Sequence, residues 1–448
     1  MATYGMIKGG SKAPYIVFGG LIAIFAIAAM MKRPYLAPFL VIVAAVYDRH
    51  IYYGLDSLEL TTLLIVLALT APVFAAAAIR RGGLSAYVVV GSLLLAIGLV
   101  AAALGAQDGT EATLGTVRWL LVLNMIVGTA AMCGARPNLT RQLTWWMVTG
   151  GAVAAIFGIL QRSGKYFLVG PPYADGVYNS TFGYYTNFAN FMALASVLGL
   201  GLLLELRRTH RRGGFWALAM TVLCAISVVQ SLSRGALICM LIGIAVIMFR
   251  QVTRPGRFLG ILATLGGLGG IIWLVIPEAD QTALINRFIV QPGGDVVREQ
   301  MQAGGMQLAT EHPLGIGFNN FQAYVSTGIV DASKALAHSH NTFLQMALDA
   351  GWIGFAGFVI LTVGACFAAI RAKHNALRLG AGAALIGFLG QVTQDFFFFE
   401  AASLTLFGLV LAMSAAKTHV TVQAPEEPPA PTANGANGAK LDDRALVQ

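Results

Sequence analysis

The sequence predicts an all-α polytopic membrane protein of about 12 transmembrane helices, with 12–13 candidate segments and one long loop outside the membrane. Three observations carry this. Of 448 residues, 57% are apolar and only 11% charged, against about 25% charged in a soluble domain, and the mean hydropathy is +0.72. The apolar residues run in stretches that suit helices of roughly 20 residues crossing about 30 Å of hydrocarbon, far longer than the roughly 10-residue alternating strands of an outer-membrane barrel. Basic residues gather in alternate connections, as one consistent topology requires.

Taken in order, the apolar stretches are 13–30, 35–52, 59–79, 85–105, 116–133, 144–161, 185–206, 214–231, 235–250, 256–277, 343–370, 376–394 and 399–416. Lipid-exposed backbone must hydrogen-bond within its own segment, so each reads as a helix. The first two are separated only by Met31-Lys32-Arg33-Pro34, and one of them is expected to be partial or re-entrant. Residues 1–34, with Lys8 and Lys12 ahead of an apolar run, resemble a signal peptide, although an uncleaved first segment fits the many later spans better.

The formal charge is +9, but its distribution speaks for topology rather than for a nucleic-acid partner. Five short connections, beginning at Arg80, Arg136, Arg207, Arg250 and Arg371, hold 14 Lys and Arg and no Asp or Glu. They are expected to face the cytoplasm, which also places the C-terminus there. The gaps 106–115, 162–184, 231–234, 278–342 and 395–398 then face the opposite compartment.

This divides the chain into N-terminal transmembrane helices (1–277), a loop region (278–342), C-terminal transmembrane helices (343–416) and a tail (417–448). The tail is rich in Pro, Ala, Gly and Asn and is expected to be disordered in the cytoplasm. Cys133, Cys224, Cys239 and Cys366 stand singly and read as small core residues. The amides Asn187, Asn190, Gln391 and Gln394, near span ends, read as interhelical hydrogen-bonding groups. No Asp, Glu, Lys or His falls near the centre of a span, which disfavours ion-coupled transport.

Ionisable chemistry is therefore expected on the non-cytoplasmic face. There Ala337-His338-Ser339-His340-Asn341 leads into an apolar helix, on which Asn341, Gln345 and Asp349 form one polar stripe at i, i+4 and i+8. An imidazole at such a helix entrance can act as a general base. His338 and His340 could also form half of a metal site with His312 as third ligand, although no carboxylate or Cys stands at helpful spacing. Arg234, on the short turn Ser231–Gly235, and Arg298 oppose the basic-residue bias and suit bidentate phosphate binding. Arg287 is a third candidate, while Arg162 and Lys165 fit snorkelling to lipid headgroups.

The chain resembles the O-antigen ligase and polymerase superfamily of bacterial envelope polysaccharide assembly. The ligase signature is His, then Asn, Ser or Gln, nine residues, then Gly-x-x-(Gly, Thr or Tyr), and His340-Asn341 followed by Gly351-Trp352-Ile353-Gly354 fits it. Ser233-Arg234-Gly235 and Arg298 followed by His312-Pro313-Leu314-Gly315-Ile316-Gly317-Phe318 add weight. Members often carry Trp four residues after the arginine that matches Arg298, where this chain has Gln302.

The resemblance implies a metal-independent GT-C-type glycosyltransferase of the bacterial inner membrane, with its active site on the periplasmic face and no cofactor. Its donor would be a glycan on undecaprenyl pyrophosphate and its acceptor a sugar hydroxyl of lipid A-core. His340, or His338, would be the base, with Arg234, Arg298 and Arg287 on the pyrophosphate. A polysaccharide polymerase or protein O-oligosaccharyltransferase would use the same donor, and a flippase for lipid-linked sugars would share the arginines.

Overall fold

A computed structural model of the chain describes residues 24–47, 50–52, 59–81, 83–165, 169, 178–182, 184–251, 293–324, 338–372, 375–393 and 395–417, with residues 266, 267, 270, 278, 281, 282 and 285. The expected span at 256–277, the tail beyond 417, Arg287, Gln394, and residues 1–23 of the signal-like region lie almost wholly or wholly outside these.

After a helical stretch at 24–32 come α1 (Leu36–Val46), a short antiparallel ribbon of β1 (His50–Tyr52) and β2 (Glu59–Thr61), α2 (Thr62–Arg81), α3 (Ala86–Leu104), α4 (Gly109–Ala135) and α5 (Pro137–Arg162). Then follow α6 (Tyr185–Arg208), α7 (Gly214–Gln230), α8 (Arg234–Gln251), α9 (Gly293–Glu311), α10 (Phe321–Tyr324), α11 (Thr342–Arg371), α12 (Ala376–Gln391) and α13 (Ala401–Ala415). Among the described residues, seven helices are long and apolar enough to cross a membrane: α2 to α6, α8 and α11. The protein is a polytopic α-helical membrane protein. The sequence boundary at 35–52 is corrected, because α1 stops at Val46 and the chain turns into the ribbon, leaving an 11-residue helix too short to cross by itself.

Local chemistry sets several helix ends. The Asp108 carboxylate accepts from the N–H groups of Thr110 and Glu111, both at 3.0 Å, to start α4. Pro137 opens α5 at a position where no N–H is needed. At the basic end of the bundle, arginines close helices whose last carbonyls lack a partner. Arg250 donates to the carbonyl of Ile370, and Arg378 to that of Ser414.

Between helices the contacts are made by small residues, as expected where packing rather than hydrophobic exclusion drives association. A Cβ on Gly98 would fall 2.4 Å from the carbonyl oxygen of Ala350, and α3 lies directly on α11 there. Gly201 and Gly380 do the same for α6 and α12. α13 is buried along its whole length, which explains how a 15-residue helix apolar on every side is used. The expected interhelical amide contact is present, with Gln391 Nε2 donating to Asn190 Oδ1.

One helix is broken on purpose. Gly351 has φ 65° and ψ 179° inside α11, a conformation that L side chains rarely adopt. The break exposes the carbonyl of Leu348 and the N–H of Trp352, and the segment after α9 takes both: Ile316 N–H donates to Leu348 (2.7 Å) and Trp352 N–H to Pro313 (3.0 Å). The same loop is pinned to the start of α4, where Asn320 accepts from Asp108 N–H at 2.7 Å. The region read as one extramembrane loop thus contains a 19-residue helix, α9, laid on the first half of α11 through a small apolar cluster that includes Met301, Leu308, Leu344 and Leu348.

Gly351→Ala should therefore destabilise the fold by about 1–3 kcal/mol from backbone strain alone, with a Cβ 2.5 Å from the Leu314 carbonyl carbon adding a clash. Thermal unfolding in detergent checks this; an unchanged midpoint would contradict the role given to the break.

Candidate active site

The polar residues ahead of α11 converge with the connection between α12 and α13. Asn341 is the N-cap of α11, its side chain accepting from the N–H of Phe343 (3.0 Å) and Leu344 (3.1 Å). Thr342 N–H donates to the carbonyl of Val392 (2.9 Å) and its hydroxyl to that of Asp395 (2.9 Å). These bonds stitch the histidine segment to the residues that follow α12. The α12–α13 connection is itself anchored by Phe398, wholly buried against Trp119, Phe358, Phe388 and Phe407 at ring separations of 4.8–6.1 Å.

The result is a triad. His340 Nδ1 donates to Asp395 Oδ1 at 3.0 Å, which leaves Nε2, buried and with no hydrogen-bond partner among the described residues, as the nitrogen with a lone pair to offer. His338 Nε2 lies 3.8 Å from the same oxygen, too far for a hydrogen bond. The two imidazoles are 4.4 Å apart, and His338 stacks on Phe399 at 5.5 Å. His340 is held at φ 54°, a costly backbone for a non-glycine residue and one that clusters at functional sites.

Burial of Asp395 by itself would raise its pKa. The close approach of His338, the hydrogen bond and charge of His340, and the Phe396 N–H outweigh that and hold the carboxyl well below the usual carboxylate range. Burial pushes His338 below its ordinary value, helped by the neighbouring His340 and opposed by Asp395. At neutral pH the site therefore holds a fixed carboxylate beside a neutral His338.

The arginines come from the flanking elements. Arg298 is half-buried on α9, one helical turn before Gln302 and so on the same face; Gln302 Nε2 reaches the carbonyl of His340 at 3.4 Å. The residue at which this chain departs from the resembling family thus touches the histidine segment. Arg234, half-buried, is the first residue of α8. Its neighbour Gly235 lies against Gln391, where a Cβ would meet Nε2 at 2.8 Å, at the end of α12 that leads to Asp395.

Two corrections follow. His312 does not join the histidine pair but sits against Tyr324, ring to ring at 5.0 Å. The third potential ligand is a carboxylate after all: His338, His340 and Asp395 each offer one donor atom, all within 4.8 Å of one another. Asp395 is not evident from sequence because it is 55 residues away from His340; its signal is an acid before four phenylalanines in a gap expected to face outward. Arg118 was also passed over. It lies in α4, donates to the carbonyl of Phe399 and covers the Phe318 ring at 5.9 Å, tying the α12–α13 connection to the loop after α9.

Residues 219–359 match the family model described as O-Antigen ligase. Over this segment the chain is similar to the O-antigen ligase family. The matched stretch runs from within α7 to within α11 and holds Arg234, Arg298, His338 and His340, while Asp395 lies beyond it. No curated protein matches the chain at a significant level.

The sign of the electrostatics is testable. Asp395→Ala removes the group that favours imidazolium, so the titration of His338 should move further down in pH, measured as the pH dependence of its diethyl pyrocarbonate modification by mass spectrometry. In the wild-type protein, the stabilisation from the depressed Asp395 pKa is fully present above the ordinary carboxylate value of 3.8 and is lost as the pH falls from there through the depressed value.

Proposed function

We propose that this protein is an O-antigen ligase of the bacterial inner membrane, transferring a glycan from undecaprenyl pyrophosphate to a sugar hydroxyl of lipid A-core at the periplasmic face. The match to the O-antigen ligase family over residues 219–359 supports glycosyltransferase-like ligase or polymerase activity. The finer reading is supported by one observation above all: the histidine of the ligase signature has its Nδ1 on a carboxylate at 3.0 Å and its Nε2 unengaged among the described residues. That is the arrangement of a general base whose tautomer is fixed by an acid.

In this mechanism His340 Nε2 takes the proton of the acceptor hydroxyl as its oxygen attacks the anomeric carbon. The bond from that carbon to the pyrophosphate oxygen breaks, and the electron pair leaves with undecaprenyl pyrophosphate. Asp395 stabilises the imidazolium so formed. Arg234 and Arg298, and Arg287 outside the described residues, hold the pyrophosphate and offset its growing charge. One direct displacement inverts the anomeric centre. The leaving group carries its own activation, so the reaction needs no nucleotide and, in this reading, no metal. The basic connections lie at the cytoplasmic side by the positive-inside rule, together with the C-terminus.

The decisive assay supplies purified protein with polyprenyl-pyrophosphate glycan and either lipid A-core or peptide. Transfer to lipid A-core is expected. Conjugation only to peptide would make the protein an O-oligosaccharyltransferase, and growth of the lipid-linked glycan a polymerase. His340→Ala should lower kcat by about 10²-fold or more, and Arg298→Lys or Arg234→Lys by about 10²-fold through loss of the bidentate fork. A protein that still moves lipid-linked sugar after both His338 and His340 are replaced by Ala would be a flippase. Activity should survive EDTA; if EDTA abolishes it, the three donor atoms of His338, His340 and Asp395 hold a catalytic cation.

A further inference from the structure

The polar stripe on α11 is only partly used by the site described so far. Asn341 caps the helix, but Gln345 and Asp349 touch neither the base nor an arginine in any contact above. Both are buried, at 1% and 0% exposure, on a helix otherwise built to pack against apolar neighbours. Burying such groups costs stability unless they are hydrogen-bonded, and their bonds run in one direction. Asp349 Oδ1 accepts from Gln345 Nε2 at 2.7 Å. Gln345 Oε1 accepts from the N–H of Ser339 at 2.9 Å. Ser339, itself fully buried, is the residue between the two histidines.

This chain of bonds connects the peptide that carries both imidazoles to a carboxyl group two residues before the break at Gly351. An amide side chain can turn over, and in the reversed orientation Gln345 would present its NH₂ to the Ser339 N–H, donor against donor. The Asp349 acceptor excludes that orientation. Asp349 Oδ2 makes no hydrogen bond among the described residues, so the contact with Gln345 is the one that the carboxyl group serves.

We propose that Asp349 is a positioning residue for the base: by fixing the orientation of Gln345 it holds the Ser339 N–H, and with it the direction of His338 and His340. This rests on the reading of His340 as general base. The role needs an acceptor at Oδ1, not a charge, and Asn at this position supplies one.

The test uses the full-length protein in detergent, with Asp349→Leu, Asp349→Asn and Gln345→Met. Asp349→Leu and Gln345→Met should lower kcat about tenfold or more, since a misplaced catalytic group can cost about 10²-fold, while KM for the lipid-linked donor stays within about twofold of wild type. Asp349→Asn should keep kcat within about threefold of wild type. In a His340→Ala background, Asp349→Leu should cause no further loss, because residues acting as one unit are not additive. Diethyl pyrocarbonate modification gives a readout besides activity: Asp349→Leu should change the rate at His338 and His340 several-fold and leave His312 unchanged.

Wild-type kcat in Asp349→Leu, a loss in Asp349→Asn as deep as in Asp349→Leu, or unchanged labelling of the two histidines would each overturn the proposal. Should Asp349→Leu fail to insert, Gln345→Met and Asp349→Asn carry the same test, by loss in the first and retention in the second. If the wild-type protein transfers no glycan but the labelling responds as stated, the function assigned above fails and the positioning role stands.

Discussion

Within a bilayer, a backbone group released from its helix must find another partner inside the protein, and the break at Gly351 turns that constraint into architecture. The freed Leu348 carbonyl and Trp352 N–H are satisfied by Ile316 and Pro313, so the residues that follow α9 have one place to lie. Gly315, at φ 91°, fits against Gly351 with no room for a Cβ. α9 is thereby brought over the first half of α11, and its Gln302 onto the histidine segment. The glycines of the ligase signature have a mechanical meaning: Gly351 opens the helix, and Gly354 lets α11 lie directly on Gly98 of α3.

The two ends of the bundle use arginine in different ways. At one end, guanidinium groups such as those of Arg250 and Arg378 are spent on the last carbonyls of helices, where they oppose the partial negative charge of the helix terminus. At the other, Arg234 stands at the start of α8 beside the end of α12, and Arg298 on α9, the helix whose Gln302 meets the histidine segment, both half-buried. In the proposed function their place there, against the expected bias of basic residues to the opposite side, serves the polyanionic group of the donor.

Two carboxyl groups serve the same short segment through opposite surroundings. Asp395 sits outside the spans with two imidazoles beside it and stays ionised. Asp349 is enclosed in α11, with an amide as its hydrogen-bond partner. In the proposed mechanism one fixes the tautomer of the base, and the other its direction. The aromatic anchor at Phe398 keeps Asp395 in register with His340 across two connections that are remote in sequence.

By itself the sequence determined the membrane class, the positions of most helices among the described residues and the signature around His340, because hydropathy and short-range spacing are local properties that survive without coordinates. It also marked Asn341, Gln345 and Asp349 as one face, since helical periodicity needs only the spacing. What it could not give was any pairing across the chain. Asp395 rather than His312 stands beside the histidines, the loop after α9 closes the break in α11, and Gln302 meets His340, each because non-local backbone bonds and ring packing bring distant segments together. The extent of α1 was likewise decided by the ribbon that follows it, which apolar content alone does not reveal.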